Sequence, residues 1–413
     1  MFASVLKRSS VKTGSLSVFD DFWYSVAGKA TSSGQSVNRD SAMRQWSVYA
    51  CVSLISETMA MLPLKLKVRT SDGGTDDAAN HPLYELLKLT PNPSMTSFTW
   101  RESQQANLLC SGNSYSWIER VGSKIIGLWP LEPQNVKPVK PSQDDRVKYA
   151  LNKGELLYIV KDGTTERAIA GRDILHLVGL GWNGLVGESV ITNFAKETVG
   201  NAISLDEFQG KFFKNGLHVS GTFEHPDTLG EHKDAFIAAL KEKYSGSGNT
   251  GVPMILESGM KWNAQKVSLV DQQFLEQMDA TALQICGIFK VPPSKIGIYG
   301  KGTSYNNTEQ QGKNFLDTTM LQWLVRWEQS LDVKLLTPEE RKKGMFIKFN
   351  FDALLRPDAK TRAEIAEINW RMGVPLNVSR RIDDQNPIDG GDVSYVPLNY
   401  APAGMKEEQN DES

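Results

Sequence analysis

Apolar and polar positions change their period several times along the chain, and each change predicts an element. From about Met43 to Met61 apolar residues recur at helical spacing, with Asn38, Asp40 and Ser41 as candidate caps and Pro63 as the stop. Leu64, Leu66 and Val68 then alternate with Lys65, Lys67 and Arg69, the period of a half-buried strand, and Asp72-Gly73-Gly74 supplies a turn. A short helix is predicted around Leu83 to Leu89, ended by Thr90 to Pro93. Another starts near Ser97, with Thr99 and Glu102 spaced as a capping box. From Gly112 to Val178, apolar runs at Tyr115, Trp117, IIGLWPL, ELLYIV and DILHLV are separated by turn residues. Pro133, Pro138 and Pro141 there suit short antiparallel strands rather than βαβ crossovers.

The pattern then changes. Ser189 to Asn215 reads as one continuous helix stopped by Gly216, about 35–40 Å long at 1.5 Å per residue. A small module follows over 216–268: an extended piece, an amphipathic helix from Glu231 to Tyr244, the segment SGSGNTG, and strands PMILE and KWNAQKV. A second long helix, about Asp271 to Phe289, ends at VPP. Two long helices thus bracket a small α/β module, a hairpin with something held at its tip. The glycine-rich segment IGIYGKGTSYNN leads into a helix from about Asn307 to Leu331, then a strand FIKFNFD and helical segments at 358–372 and 376–384. The tail MKEEQNDES is acidic and reads as disordered, and residues 1–45 read as a mobile arm.

Composition sets limits on this picture. The 413 residues, 40% hydrophobic and 23% charged, fit two or three globular domains. Lys and Arg total 46 against 48 Asp and Glu, for a net charge of −2, which argues against a protein that coats DNA through a basic surface. Loose enclosure of DNA is still open. Cys51, Cys110 and Cys286 are odd in number and far apart in sequence, so no disulfide framework is expected. The first ten residues lack the apolar core of a signal peptide, and Glu57, Pro63 and Lys65 interrupt the most apolar stretch, so no membrane association is expected.

Candidate chemistry is sparse. Gly179 to Gly184 spells G-x-G-x-x-G, but a dinucleotide site needs a second strand and an acidic residue after the helix, and here the helical pattern runs on to Gly216. A turn feeding the helix fits better. Gly300-Lys301-Gly302 lacks the hydroxyl residue a Walker A lysine requires. The histidines at 81, 176, 218, 225 and 232 show no metal-ligand spacing, and Asp227, Glu231 and Lys233 imitate nuclease ligands only through the favoured acids of a helix start. No catalytic residue, metal or cofactor is expected. The loop from Gly297 to Asn307 is the most suggestive polar segment, because glycines permit movement while its lysine and polar run offer donors to phosphate.

Ten segments in order carry a resemblance. VYACVSLISETMAMLPLKL, HPLYELLKLTPNPSMTSFTWRE, GNSYSWIER, LWPLEPQNV, ILHLVGLGWNGLVGESVI, FFKNGLHVSG, DQQFLE, IFKVPPSKIG, YNNTEQQ and DALLRPDAKTRAE resemble the HK97-type portal family of tailed bacteriophages, over about Ser47 to Asp392. The resemblance implies an α+β portal fold with a mixed α/β wing, a two-helix stem, a small α/β clip and a helical crown. On that pattern the flexible arm is 1–45, the wing 46–188 and 308–353, the stem 189–215 and 269–292, and the clip 216–268. The tunnel loop is 293–307, the crown 354–400 and the acidic tail 401–413. It implies a ring, typically of twelve subunits, at one capsid vertex of a virion assembled in the bacterial cytoplasm. Its partners are double-stranded DNA in the channel, the large terminase, a head–tail adaptor, and major capsid and scaffold proteins. Lys301, Ser304, Tyr305 and Asn306 are expected to line the channel. Val219 to Phe223 and Met254 to Glu257 are expected to pair with neighbouring subunits. A nuclease built on the 216–268 module and a shell protein without a channel are the rival readings. The segment LNVSRRIDDQNP is less typical of the family, and residues 1–45 match no part of it.

Overall fold

The structure, a computed structural model, describes residues 29–215, 221–224, 234–235, 238, 259, 261–264, 270–299, 312, 314–350, 359–382 and 385–395. The chain divides into two compact units, residues 1–350 and 351–413.

The first unit begins with folded chain where a mobile arm was expected. Strands β1 (Lys29–Ala30) and β2 (Ser36–Val37) form an antiparallel hairpin. Helix α1 (Arg39–Met43) follows, closed by a capping box: Asn38 Oδ1 accepts from Ser41 N at 2.8 Å, and Ser41 Oγ accepts from Asn38 N at 2.9 Å. The helix expected from Met43 starts later, as α2 (Trp46–Met61). Gln45 is extended, and its side chain accepts from the amides of Ser47 and Val48, so a new N-terminus forms there.

Strands β3 (Leu64–Arg69) and β4 (Thr75–Asp77) come next, then α3 (Pro82–Lys88) and α4 (Ser97–Ser111). The cap of α4 is Thr96, which accepts from Thr99 N, rather than the expected Thr99 box, because Thr96 is the extended residue before the first turn. Strands β5 (Asn113–Val121), β6 (Lys124–Leu131) and β7 (Val136–Val139) follow, then β8 (Leu157–Asp162), β9 (Thr165–Ala170) and β10 (Ile174–Val178). Between β7 and β8 lies a short helix, α5 (Gln143–Lys148), that the proline-rich pattern hid; a Ser142–Asp145 capping box starts it.

The unbroken helix expected from Ser189 is two pieces. Ser189 caps a π-helical turn, Val190–Phe194, and α6 (Lys196–Asn215) begins after Ala195, whose N–H reaches back to Val190 O at 2.7 Å. Strands β11 (Gly221–Glu224) and β12 (Lys261–Ala264) precede α7 (Val270–Phe289). A second π-helical turn, Leu316–Met320, opens α8 (Leu321–Leu335), which runs one turn past the expected end at Leu331 because both Leu331 and Leu335 are buried. Helix α9 (Pro338–Lys342) and strand β13 (Met345–Phe349) complete the unit.

Three small antiparallel sheets, ordered β13-β3-β4, β10-β5-β6 and β7-β8-β9, carry the core. Leu64 and Leu66 of β3 face inward while the lysines between them are half-exposed, as the alternation required. Glu328 and Asp332 of α8 accept from Phe349 N at 3.0 Å and Ile347 N at 2.7 Å, so helix carboxylates satisfy amides of edge strand β13. Trp327, fully buried, meets Trp100 edge-on with ring centroids 5.4 Å apart and donates to Gln105 Oε1 at 2.8 Å. Each such indole removes about 150–250 Å² from water, an upper estimate of roughly 4–6 kcal/mol. Arg101 crosses the end of α2 and donates to Leu62 O at 2.7 Å and Ala60 O at 2.9 Å, filling the role of a C-cap from another helix.

In the second unit, α10 (Ala359–Arg371) and α11 (Leu376–Ile382) are joined at Gly373, in the left-handed region at φ +84. Asn377 holds the chain after α11 with both side-chain groups: its Oδ1 accepts from Ile388 N and its Nδ2 donates to Ile388 O. No helix among the described residues is long and apolar enough to cross a membrane.

Candidate functional site

Helices α6 and α7 are each 20 residues, about 30 Å long, and they pack on one another. Their inner ends are fixed to the rest of the first unit by apolar residues, Val199 and Ala202 on α6 and Ala282, Ile285, Cys286 and Phe289 on α7, all buried. Helix α7 packs on α2, where the Cys51 and Cys286 thiols meet; that contact and burial push the Cys51 thiol well above its usual range. All three cysteines are free and buried. Between the helices in sequence, β11 and β12 pair antiparallel with Glu224 opposite Lys261, and Asn263 Nδ2 donates to Glu224 Oε1 at 2.7 Å. One edge of Gly221–Phe223, part of the segment expected to pair with a neighbouring subunit, is therefore taken by β12 of the same chain; residues 219–220 and Met254 to Glu257 lie outside the described residues.

The loop after α7 is described at its base. Ile298 N donates to Pro293 O at 3.0 Å, and Gly297 turns the chain at φ +87. From the far side, Thr319 Oγ1 of the second π turn donates to Lys290 O at 2.5 Å, and Phe315 is buried. The two ends of the loop are thus tied together at Lys290 and Thr319. Lys301, Ser304, Tyr305 and Asn306 lie outside the described residues, as do Asp227, Glu231, Lys233, His218, His225 and His232.

The glycines at 179–184 form a turn, not a nucleotide cradle. Strand β10 runs antiparallel to β5, so the βαβ unit is missing, and Gly179 N donates to Gly112 O at 2.7 Å. Gly112 ends α4 at φ +70, and a Cβ there would lie 2.2 Å from Glu188 O. Asn113 locks the turn: its Nδ2 donates to Gly187 O at 2.7 Å, and its Oδ1 accepts from Gly187 N at 2.7 Å and His176 Nε2 at 3.0 Å. The other imidazole nitrogen accepts from Tyr158 OH at 3.1 Å, which fixes the neutral tautomer. Burial, with a smaller effect of Lys334, depresses the His176 pKa to about 3. Arg326 of α8 donates to the carbonyls of Val178 and Gly179, tying α8 to the same turn. His81 is the other described histidine; it caps α3 and pairs with Glu340 at 2.9 Å. Among the described residues no three His, Cys, Asp or Glu side chains come together as a metal site.

Sequence patterns did not expose Asn113, His176 or Arg326 as the fasteners of this turn, nor residues 29–37, which lie along α6. The contacts Asn113–His176, Arg326–Val178 and Gln35–Glu207 span 63, 148 and 172 residues, and no local pattern encodes them.

The architecture is thus a mixed α/β body carrying two long, mutually packed helices and a loop whose ends are tied together at its base. A profile of the phage portal protein family matches residues 47–375, and the chain belongs to that family. It is 29% identical over 374 residues to the portal protein of Enterobacteria phage HK97, covering 89% of this chain and 85% of that one. It is 27% identical over 394 residues to the probable portal protein of Streptomyces phage phiC31, covering 92% and 84%. Among solved structures, a chain in the neck of a native gene transfer agent particle, computed with C12 symmetry, matches with a TM-score of 0.53 at 20% identity, over 85% of this chain and 94% of that one.

Proposed function

We propose that twelve copies of this chain form a ring at one capsid vertex, through which the large terminase packages double-stranded genomic DNA and from which that DNA is later ejected. Membership of the portal family across 47–375 carries this reading. The C12 symmetry of the neck that holds a chain of the same fold supports the subunit number. Residues 46–188 and 308–353 are the wing, α6 and α7 within 189–215 and 269–292 the stem, 216–268 the clip, and 354–400 the crown. The clip end binds terminase during packaging and the head–tail adaptor afterwards; major capsid and scaffold proteins surround the wing. The ring passes DNA and catalyses no reaction itself.

Charge supports passage rather than grip. Each neutralised phosphate adds affinity that translocation must break. The net charge is −2, and α7 carries Asp271, Glu276 and Asp279 with no Lys or Arg. Lys301, Ser304, Tyr305 and Asn306, in the loop closed by Lys290 and Thr319, touch the duplex lightly, repeated around the ring.

Electron-microscope class averages of the purified protein, with its mass in solution, test the ring. Rings with a hole wide enough for duplex DNA are expected; monomers or dimers that persist when scaffold protein is added would overturn the reading. Lys301→Ala is expected to assemble normally and to change DNA packaging or retention. Unchanged packaging and retention in that variant would remove the loop from the channel.

A further inference from the structure

The hairpin before the family-matched region lies along α6 and touches it at three points on one face, spaced i, i+3 and i+10. At the first, Ser32 donates through N–H at 3.0 Å and Oγ at 2.5 Å to Glu197 Oε2. At the last, Gln35 Nε2 donates to Glu207 Oε2 at 3.2 Å, about 15 Å further along the helix. Between them Thr31, almost fully buried, covers Gly200 so closely that a Cβ on the glycine would meet Thr31 Cγ2 at 2.5 Å and Cβ at 3.0 Å. The turn is stiffened from inside: Thr31 Oγ1 accepts from Gln35 N at 3.0 Å, and Thr31 N donates to Gln35 O at 2.9 Å. Its far end is anchored, because Val37 and Ala42 are completely buried and α1 leads directly into α2.

We propose that residues 29–37 are a strap that fixes the angle of α6 against the wing, with Ser32, Gln35 and the Thr31–Gly200 contact as the positioning residues. Any tilt of α6 breaks the two carboxylate contacts and lifts Thr31 from Gly200, so the strap sets where the stem wall stands. The functional meaning rests on α6 being stem; the contact itself does not. The strap lies on the N-terminal side of the stretch that the portal profile matches, which begins at residue 47. Ser32 also holds the Glu197 carboxyl below its usual pKa, in keeping with a contact made to the ionised form.

Gly200 makes the idea testable by sign. On helix propensity alone, Gly→Ala stabilises a helix. If Thr31 occupies the space, Gly200→Ala instead expels the strap. Hydrogen exchange on assembled rings, read on peptides covering 29–37 and 196–207, reports which occurs. Gly200→Ala is expected to speed exchange in α6 about tenfold, and Ser32→Ala with Gln35→Ala about threefold, with β5 and α8 unchanged. Thr31→Ser added to Gly200→Ala removes the methyl group at 2.5 Å and restores protection. Exchange in α6 that is unchanged or slower in Gly200→Ala rings would overturn the proposal, as would a rise spread evenly over the wing. If Gly200→Ala does not assemble, the Ser32→Ala/Gln35→Ala pair decides alone. Failure of the native chain to form rings counts against the portal reading; rings with α6 indifferent to the strap count against this one.

Discussion

Replacing His176 with Gln isolates a buried proton-binding site. The imidazole is wedged beside the Tyr115 ring, centroids 4.4 Å apart, with Trp182 at 6.1 Å, and it bridges Asn113 Oδ1 and Tyr158 OH. Protonation would put a donor against the Tyr158 hydroxyl and a charge in an apolar core. Its folded pKa, about 3 against 6.5 for the free side chain, reflects that penalty. The unfolded chain therefore binds the proton more readily, and stability falls as pH drops from about 6.5 towards 3. At about 1.4 kcal/mol per unit, the whole window amounts to roughly 5 kcal/mol, of which roughly 2–3 kcal/mol is lost by pH 4.5. Carboxylates with depressed pKa values, among them Asp77 and Glu340, add acid sensitivity of their own, present above their unfolded pKa and lost as pH falls through the folded one. They are common to both proteins and cancel in the comparison. Gln offers one donor to Asn113 and cannot titrate. Urea unfolding of native and His176→Gln rings from pH 7 to 4.5, followed by tryptophan fluorescence, should show native stability falling more steeply by about 1.4 kcal/mol per pH unit below pH 6. Parallel pH profiles would refute the buried neutral imidazole.

Two further substitutions probe the scaffold. Arg101→Met should cost about 3–5 kcal/mol, since it strands the carbonyls of Ala60 and Leu62 in a site where the arginine is only 5% exposed. Burial lowers the guanidinium pKa only to about 10, so the loss should be independent of pH between 6 and 8, and a flat urea midpoint across that range checks it. Gly112→Ala should cost about 3 kcal/mol or more, read as a fall in melting temperature, because the left-handed backbone and the 2.2 Å approach to Glu188 O both oppose a Cβ.

How much of this was legible in the sequence depends on the range of the forces involved. Strand β3 was visible because its alternation is written residue by residue, and its burial follows that alternation. Helices α7 and α10 were visible because their spacing is just as local, as was the stop at Pro63. Ten short segments in order were enough to indicate the portal family, and the profile match over 47–375 agrees. The polar face of α4 was not legible. Arg101, Gln104 and Gln105 look like a solvated surface, yet all are buried, because Leu62, Ser114 and Trp327 supply partners from elsewhere in the chain. Nor was the pairing of β3 with β13, which brings Leu64 beside Phe349. The N-terminal hairpin carried no periodic signal, and its fold depends on Glu197, Gly200 and Glu207 of a helix far along the chain. Local spacing thus determined which segments are helices and strands, since dihedral preference and amphipathicity act within a few residues. Tertiary structure decided which polar groups are buried and what holds α6 in place, because a buried donor is stable only where a distant segment delivers its acceptor.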